Sequence, residues 1–110
     1  MYSDCLESDW RQFHKKVPVW QEAYMERLVE AYQAILCSKE NASEEFWILE
    51  KRVPKDKHNP GVVMDMRRNQ MRNDILYLLQ YGVITLGDLG DFSLELQETM
   101  AWCMENFEKE

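Results

Sequence analysis

Hydrophobic residues recur at helical spacing over most of the chain, and the clearest stretch lies in residues 18–36. There, apolar and aromatic side chains follow one another at steps of three and four, which places them on one helix face: Trp20, Tyr24, Leu28, Tyr32 and Ile35. The sequence therefore predicts an amphipathic helix from Pro18 to Leu36. Proline suits its first position, because an N–H there would have no partner within the helix.

A shorter helix is predicted before Pro18. Asp4 or Ser8 is a suitable amino-terminal cap, and Trp10 and Phe13 lie three residues apart on one face. Because proline disfavours a helical conformation in the residue before it, we expect this helix to break just ahead of Pro18.

A third helix is predicted after the polar connection "CSKENAS". Ser43 is a suitable cap, and three apolar residues line one face of the segment that follows: Phe46, Leu49 and Val53. Pro54 is expected to end this helix.

The most basic stretch, "MRRNQMRND" at residues 66–74, is predicted to lie inside a long central helix. Asn59 followed by Pro60 is a start signal, and the helix is expected to run to about Tyr81, where Gly82 ends it in a left-handed conformation. A helical wheel gives a narrow apolar stripe: Met64, Met71, Ile75 and Leu78. Packing within one chain is one interpretation of the stripe, and a homodimer that buries the Met64–Met71–Leu78 seam is another.

Short elements complete the chain. Thr85 is expected to cap a turn that holds Leu86 and Leu89, and Ser93 to cap a final helix with four inward residues: Leu96, Met100, Cys103 and Phe107. Only 4 Gly and 3 Pro interrupt the 110 residues, too few for a many-stranded fold. We therefore predict an all-α protein, a compact bundle of four to five helices with short connections, with residues 1–110 as a single domain.

Composition narrows the class of protein. No apolar run approaches the roughly 18 residues of a membrane span, and the acidic amino terminus has no apolar segment typical of a secretory signal. Three cysteines without CxxC spacing fit reduced thiols better than disulfides. We predict a cytoplasmic protein that does not bind membranes.

Motifs of catalysis and of cofactor binding are missing from the sequence. It contains no GxGxxG, GxxxxGK[ST], HExxH or GxSxG, and no Glu is followed by His three residues later. His14 and His58 have no Cys or carboxylate at ligand spacing. The sequence therefore predicts a protein that is not an enzyme and has no metal or cofactor.

The net charge of −7 hides a basic centre, since residues 51–81 carry 7 basic and 3 acidic side chains. Seven of them form a candidate basic patch for nucleic acid or an acidic protein: Lys51, Arg52, Lys55, Lys57, Arg67, Arg68 and Arg72. The overall pI of about 4.8 opposes encounter with nucleic acid. We favour the interpretation that the arginines face acidic neighbours in the same fold, with Asp65 pairing with Arg68.

Two rows of carboxylates are a second candidate binding feature, because residues four apart on a helix stand roughly 6 Å from each other: Glu22, Glu26 and Glu30 in one row, and Asp91, Glu95 and Glu98 in the other. An ordinary solvated face is the favoured interpretation. The alternative is a mimic of nucleic acid that occupies the groove of a nuclease, as inhibitors of CRISPR effectors do.

Trp47 is a candidate exposed aromatic. It directly follows Phe46, which lies on the predicted core face of the helix, so Trp47 is expected to point away from that face. Packing beneath the basic loop is the alternative. Exposure at Trp47 favours protein–protein binding, which we predict as the function of this chain, as a monomer or a homodimer.

Residues 17–32 and 46–98 resemble small uncharacterised all-helical proteins of Gram-positive bacteria and their mobile elements. The shared features are a tryptophan at a helix entry, an "EKR…HPGV"-like loop and a "GVIT…DL…FS.EL" ending, and this sequence departs from the pattern with "HNPGV" at the loop. The resemblance implies a helical fold and no catalytic residue. It also implies an accessory regulator or inhibitor of a mobile element or phage.

Overall fold

A computed structural model describes residues 6–39 and 41–107, and 74% of them are helical with no strand among them. The all-α class is confirmed. Four α-helices and two 3-10 turns follow one another: α1 (Glu7–Leu36), α2 (Ala42–Asp56), a turn (Arg68–Gln70), α3 (Met71–Gln80), a turn (Leu86–Leu89) and α4 (Leu94–Asn106).

Pro18 lies inside α1, so the predicted break is wrong. Phe13 and Val17 on one continuous helix are both buried in the core, and their burial outweighs the local cost of proline. Ser8 is not the cap, because the helix begins at Glu7 after the extended Leu6. Asp4, the other predicted cap, lies outside the described residues.

The bounds of α2 also differ from prediction. Asn41 caps it instead of Ser43, since the Asn41 side chain accepts a hydrogen bond from the backbone N–H of Glu44 at 2.9 Å. Pro54 does not end the helix, which continues to Asp56.

The long central helix is wrong in its first half. Residues 57–62 form turns and residues 63–67 have no regular secondary structure. Asn59 Oδ1 accepts from the Gly61 N–H at 2.8 Å and closes one of these turns. Gly61 lies against the ring of Tyr24, where a Cβ would come within 2.4 Å of Cδ2. This close approach to α1 therefore favours a glycine, and α3 begins only at Met71.

Three local signals of the carboxyl-terminal half are confirmed. Gly82 has a φ of 73° just after α3, Thr85 and Asp88 form a capping box around the second turn, and Ser93 accepts from the Leu96 N–H to cap α4. Phe107 is the exception, because it is 49% exposed rather than inward.

One apolar core joins the first half of α1 to α3, α4 and the turns between them. Its buried members are Phe13, Val17, Met71, Ile75, Leu78, Leu79, Ile84, Leu89, Phe92, Leu96 and Met100. Met71 and Leu78 are fully buried here, and the partly buried Met64 packs against the core from the irregular segment before α3. Met71 and Leu78 are therefore buried within one chain, as the first interpretation of the stripe expected.

The whole of α2 and the second half of α1 extend beyond this core as a helical hairpin, residues 29–56, which we term the arm. Within the described chain, α2 has no buried residue and contributes nothing to the core cluster. The molecule measures 54 × 28 × 22 Å with a radius of gyration of 16.6 Å, against about 13 Å for a compact domain of this length. The bundle is therefore more extended than the sequence predicted.

Candidate functional site

The arm presents a cluster of large apolar side chains to solvent, which we term the apolar patch. It consists of Phe46, Trp47 and Ile48 on α2, which are 58%, 57% and 46% exposed. The Phe46 and Trp47 rings meet edge to face, with centroids 4.9 Å apart. Leu49 and Val53 are half-buried, whereas Phe46, predicted to line the same face, is exposed, and Trp47 lies about 200° around the helix from Leu49. Trp47 is thus on the surface, in a shallow groove with Ile48 and Lys51.

The first acidic row lies on the exposed face of α1. Glu22, Glu26 and Glu30 flank Met25 and Val29 in a shallow groove, and all five residues are exposed. None of these three carboxylates has a salt-bridge partner in the part of the chain that the structure describes.

The second acidic row is not a helix stripe. Asp91 lies in the turn before α4, where it pairs with Lys16 at 2.9 Å, and the Lys16 ammonium holds the pKa of Asp91 below its usual value. Glu95 pairs with Arg72 at 3.1 Å. All three carboxylates are exposed, and of the three only Glu98, on α4, has no salt-bridge partner within the described chain.

Arg67 and Arg68 lie just before α3, and each faces a carboxylate of the same chain. Arg68 makes a two-pronged hydrogen-bonded ion pair with Glu7 of α1 and lies over the Trp10 ring, with 5.3 Å from Cζ to the centroid. The hydrogen bonds to Arg68 lower the pKa of Glu7. Asp65 pairs with Arg67 at 2.8 Å, so the predicted pairing of Asp65 with Arg68 is wrong.

The basic residues of α2 differ in their surroundings. Arg52 donates to Asp56 at 3.1 Å, and the same carboxylate accepts from the Tyr32 hydroxyl of α1 at 2.6 Å. Burial and this hydrogen bond raise the pKa of Tyr32 to about 12. The remaining basic side chains are exposed on α2 and just beyond it: Lys51, Lys55 and Lys57. All four arginines of the candidate basic patch thus have a carboxylate partner.

A cleft of about 510 Å³ lies between residues 58–67 and α3, and the sequence reading did not identify it. Asp74 lines it, with Oδ2 buried and without a hydrogen-bond partner. Burial, followed by the charge of Asp65, raises the pKa of Asp74 to about 6. A helical wheel places Asp74 about 40° from the buried Leu78, so the partial burial of Asp74 was predictable from the helical pattern.

Other kinds of site find no support in residues 6–39 and 41–107. No group of three or more His, Cys, Asp or Glu side chains there is arranged to hold a metal ion. Nor does any helix of this part of the chain have the length and apolar character that crossing a bilayer requires. Comparisons with known protein families, with curated proteins and with solved structures find no match for this chain.

Proposed function

We propose that this protein acts by binding another protein through the apolar patch of the arm. The observation that carries the proposal is that α2 buries none of its residues, yet leaves Phe46, Trp47 and Ile48 in contact with solvent. Burying a large apolar side chain is worth about 1.5–3 kcal/mol, and tryptophans rank among the residues that dominate binding energy at interfaces.

The surroundings of the patch indicate the chemistry of the partner. Glu44 and Lys51 border the groove beside Trp47, so a partner with an apolar pocket and a mixed polar rim is complementary to it. A projecting two-helix arm also reaches into a concave surface more readily than a flat helix face does.

The proposed setting is cytoplasmic, with the chain as a monomer or a homodimer. Following the resemblance, we propose an accessory regulator or inhibitor of a mobile element or phage.

Quantitative capture from a lysate of the native host tests this proposal. The wild type is compared with Trp47→Ser, and with Leu94→Ser as a matched control, because Leu94 is 68% exposed on α4 away from the arm. We expect Trp47→Ser to reduce recovery of a specific partner by about 30-fold, which corresponds to the ~2 kcal/mol of an interface hot spot. Leu94→Ser should leave recovery unchanged.

Equal recovery with all three proteins would contradict binding through the apolar patch. Circular dichroism of each variant establishes that the helical content is the same. Neither substitution removes a buried side chain, so both variants are expected to fold.

A second candidate function is nucleic-acid mimicry by the row on α1. Its supporting observation is that Glu22, Glu26 and Glu30 are exposed and have no salt bridge within the described chain. Inhibition of a nuclease that is lost when all three become Gln, but kept when Glu44, Glu50 and Glu105 become Gln, would support it. The two triple variants have the same net charge, so equal inhibition by both would exclude this row.

Nucleic-acid binding through residues 51–72 has less support, because the arginines of that segment pair with carboxylates. This function would gain support if the protein shifts nucleic acid in electrophoresis at low salt and Arg67→Ala or Arg72→Ala abolishes the shift.

A further inference from the structure

The cleft between residues 58–67 and α3 combines features that do not depend on the arm. Its volume of about 510 Å³ lies within the range typical of small-ligand sites, roughly 300–1,000 Å³. The wall from residues 58–67 includes Pro60, Val63 and Met64, and the α3 side contributes Asp74, Tyr77 and Tyr81. Three of the six side chains on the first wall are therefore apolar, the others being His58, Asp65 and Arg67, and the α3 side is aromatic with a carboxylate.

The charges in the cleft leave one carboxylate without compensation. Asp65 is paired with Arg67 at 2.8 Å, whereas Asp74 has no salt-bridge partner within the described chain. Its Oδ2 is buried without a donor, while the residue as a whole is only half-buried and lines the cleft. A cation in the cleft would meet a partly desolvated negative charge, which attracts it more strongly than a hydrated surface carboxylate does.

The tyrosines favour the same kind of ligand. Tyr77 and Tyr81 stand one helical turn apart, with ring centroids 6.3 Å apart and an angle of 71° between the planes. Aromatic faces attract ammonium and guanidinium groups through their quadrupole and pack well against alkyl chains. An anion would have to approach His58 and Arg67, and Arg67 is already engaged by Asp65.

We propose that this cleft binds an organic cation, with its ammonium or guanidinium group beside Asp74 and its alkyl stem between the tyrosines and the apolar side chains of Pro60, Val63 and Met64. The group is carried either by a free amine or by an arginine or lysine side chain of a bound protein. In both cases the recognition chemistry is the same, and the aromatic wall distinguishes the site from a cation site made only of carboxylates.

NMR titration of the intact protein tests the proposal with four probes. Butylguanidine has the required cation and stem, and butylurea is its nearly isosteric neutral control. A capped Ala-Arg-Ala peptide carries the same group on a side chain, and inorganic phosphate tests for anion binding. We expect butylguanidine or the peptide to shift amide signals of residues 58–67 and 74–81, and butylurea and phosphate to leave them unchanged.

Substitutions in the cleft test whether its side chains bind the probe. Asp74→Asn should weaken binding by about tenfold, as expected for removal of a charge-assisted contact, and Tyr77→Leu by a few-fold. Glu98→Gln removes an exposed carboxylate elsewhere and should have no effect. Asp74→Asn is expected to fold, because it removes an uncompensated partly buried charge.

Tighter binding of the peptide would assign the cation to a protein side chain, and tighter binding of butylguanidine would assign it to a small molecule. Both results support the proposal. It is overturned if butylurea binds as well as butylguanidine, if phosphate alone shifts the cleft signals, if no probe does so, or if Asp74→Asn has no effect. Because none of these residues belongs to the arm, the outcome is independent of the test at Trp47.

Discussion

Asp9 connects the first turn of α1 to the start of α4 across 84 residues of sequence. The residue is 1% exposed, and its carboxylate accepts from the Ser93 backbone N–H at 2.7 Å and from the Ser93 hydroxyl at 2.6 Å. The Ser93 Oγ in turn accepts from the Leu96 N–H and caps α4. We predict that Asp9→Ala destabilises the fold more than any exposed carboxylate substitution.

The expected magnitude follows from these two bonds. A hydrogen bond to a charged group contributes about 1.5–3 kcal/mol, so their loss amounts to roughly 3–6 kcal/mol. Release of the carboxylate from its buried position offsets part of this loss, which leaves about 3 kcal/mol of net destabilisation. Asp9→Asn keeps one acceptor oxygen and should lose about half as much.

Urea unfolding followed by far-ultraviolet circular dichroism measures these changes. A double-mutant cycle with Ser93→Ala isolates the bond between the two side chains, for which we expect a coupling of about 1.5–2 kcal/mol. Glu98→Gln serves as the surface control, expected within about 0.5 kcal/mol of the wild type. A coupling below about 0.5 kcal/mol would refute the assignment of Asp9 as a partner of the α4 cap.

Three further substitutions test other features. Gly82→Ala should lower the free energy of unfolding by about 1–2 kcal/mol, since a residue with a Cβ is strained at its φ of 73°; an unchanged urea midpoint would contradict this. Pro18→Ala should raise that free energy by about 2 kcal/mol, because alanine restores a helical N–H inside α1, and destabilisation would speak against a continuous helix. Asp74 has a folded pKa of about 6 against an ordinary 3.8, so its contribution to stability is complete below pH 3.8 and is lost as the pH rises through about 6. Asp74→Asn should remove this pH-dependent contribution to the free energy of unfolding, and identical pH–stability curves for the variant and the wild type would contradict the prediction.

Local chemistry made part of the fold predictable from the sequence. Gly82, Thr85 and Ser93 act through neighbours within a few residues, and each forms the stop or cap that its residue type favours. Apolar periodicity also identified the buried residues of α3 correctly, including Ile75 and Leu78. In these cases the local preference and the tertiary packing agree.

The failures arise where a distant contact decides the local structure. The crossing at Gly61 depends on the Tyr24 ring, and nothing in residues 59–70 encodes that neighbour. Helical spacing between Met64 and Met71 was therefore misleading. Pro18 shows the opposite case, because burial of its helix neighbours maintains a helix that local propensity alone would break.

The candidate surfaces were predictable to a similar degree. Exposure of Trp47 rests on its position opposite the contact face of α2, which the helical pattern indicates. The partner of Arg68 lies 61 residues away, so spacing along the sequence pointed to Asp65 instead. The cleft at Asp74 needs the turn at residues 57–67, and it was missed together with that turn.

The lack of buried residues in α2 has a consequence for hydrogen exchange. Its amides are protected mainly by hydrogen bonds within one helix and by contact with α1, so they should exchange by local opening well before those of α3 and α4. The segment that carries Trp47 is then the first to melt. A partner that binds this segment must also supply the free energy that keeps α2 folded. Substitutions that stabilise α2, such as Pro54→Ala, should therefore slow its hydrogen exchange and also tighten binding.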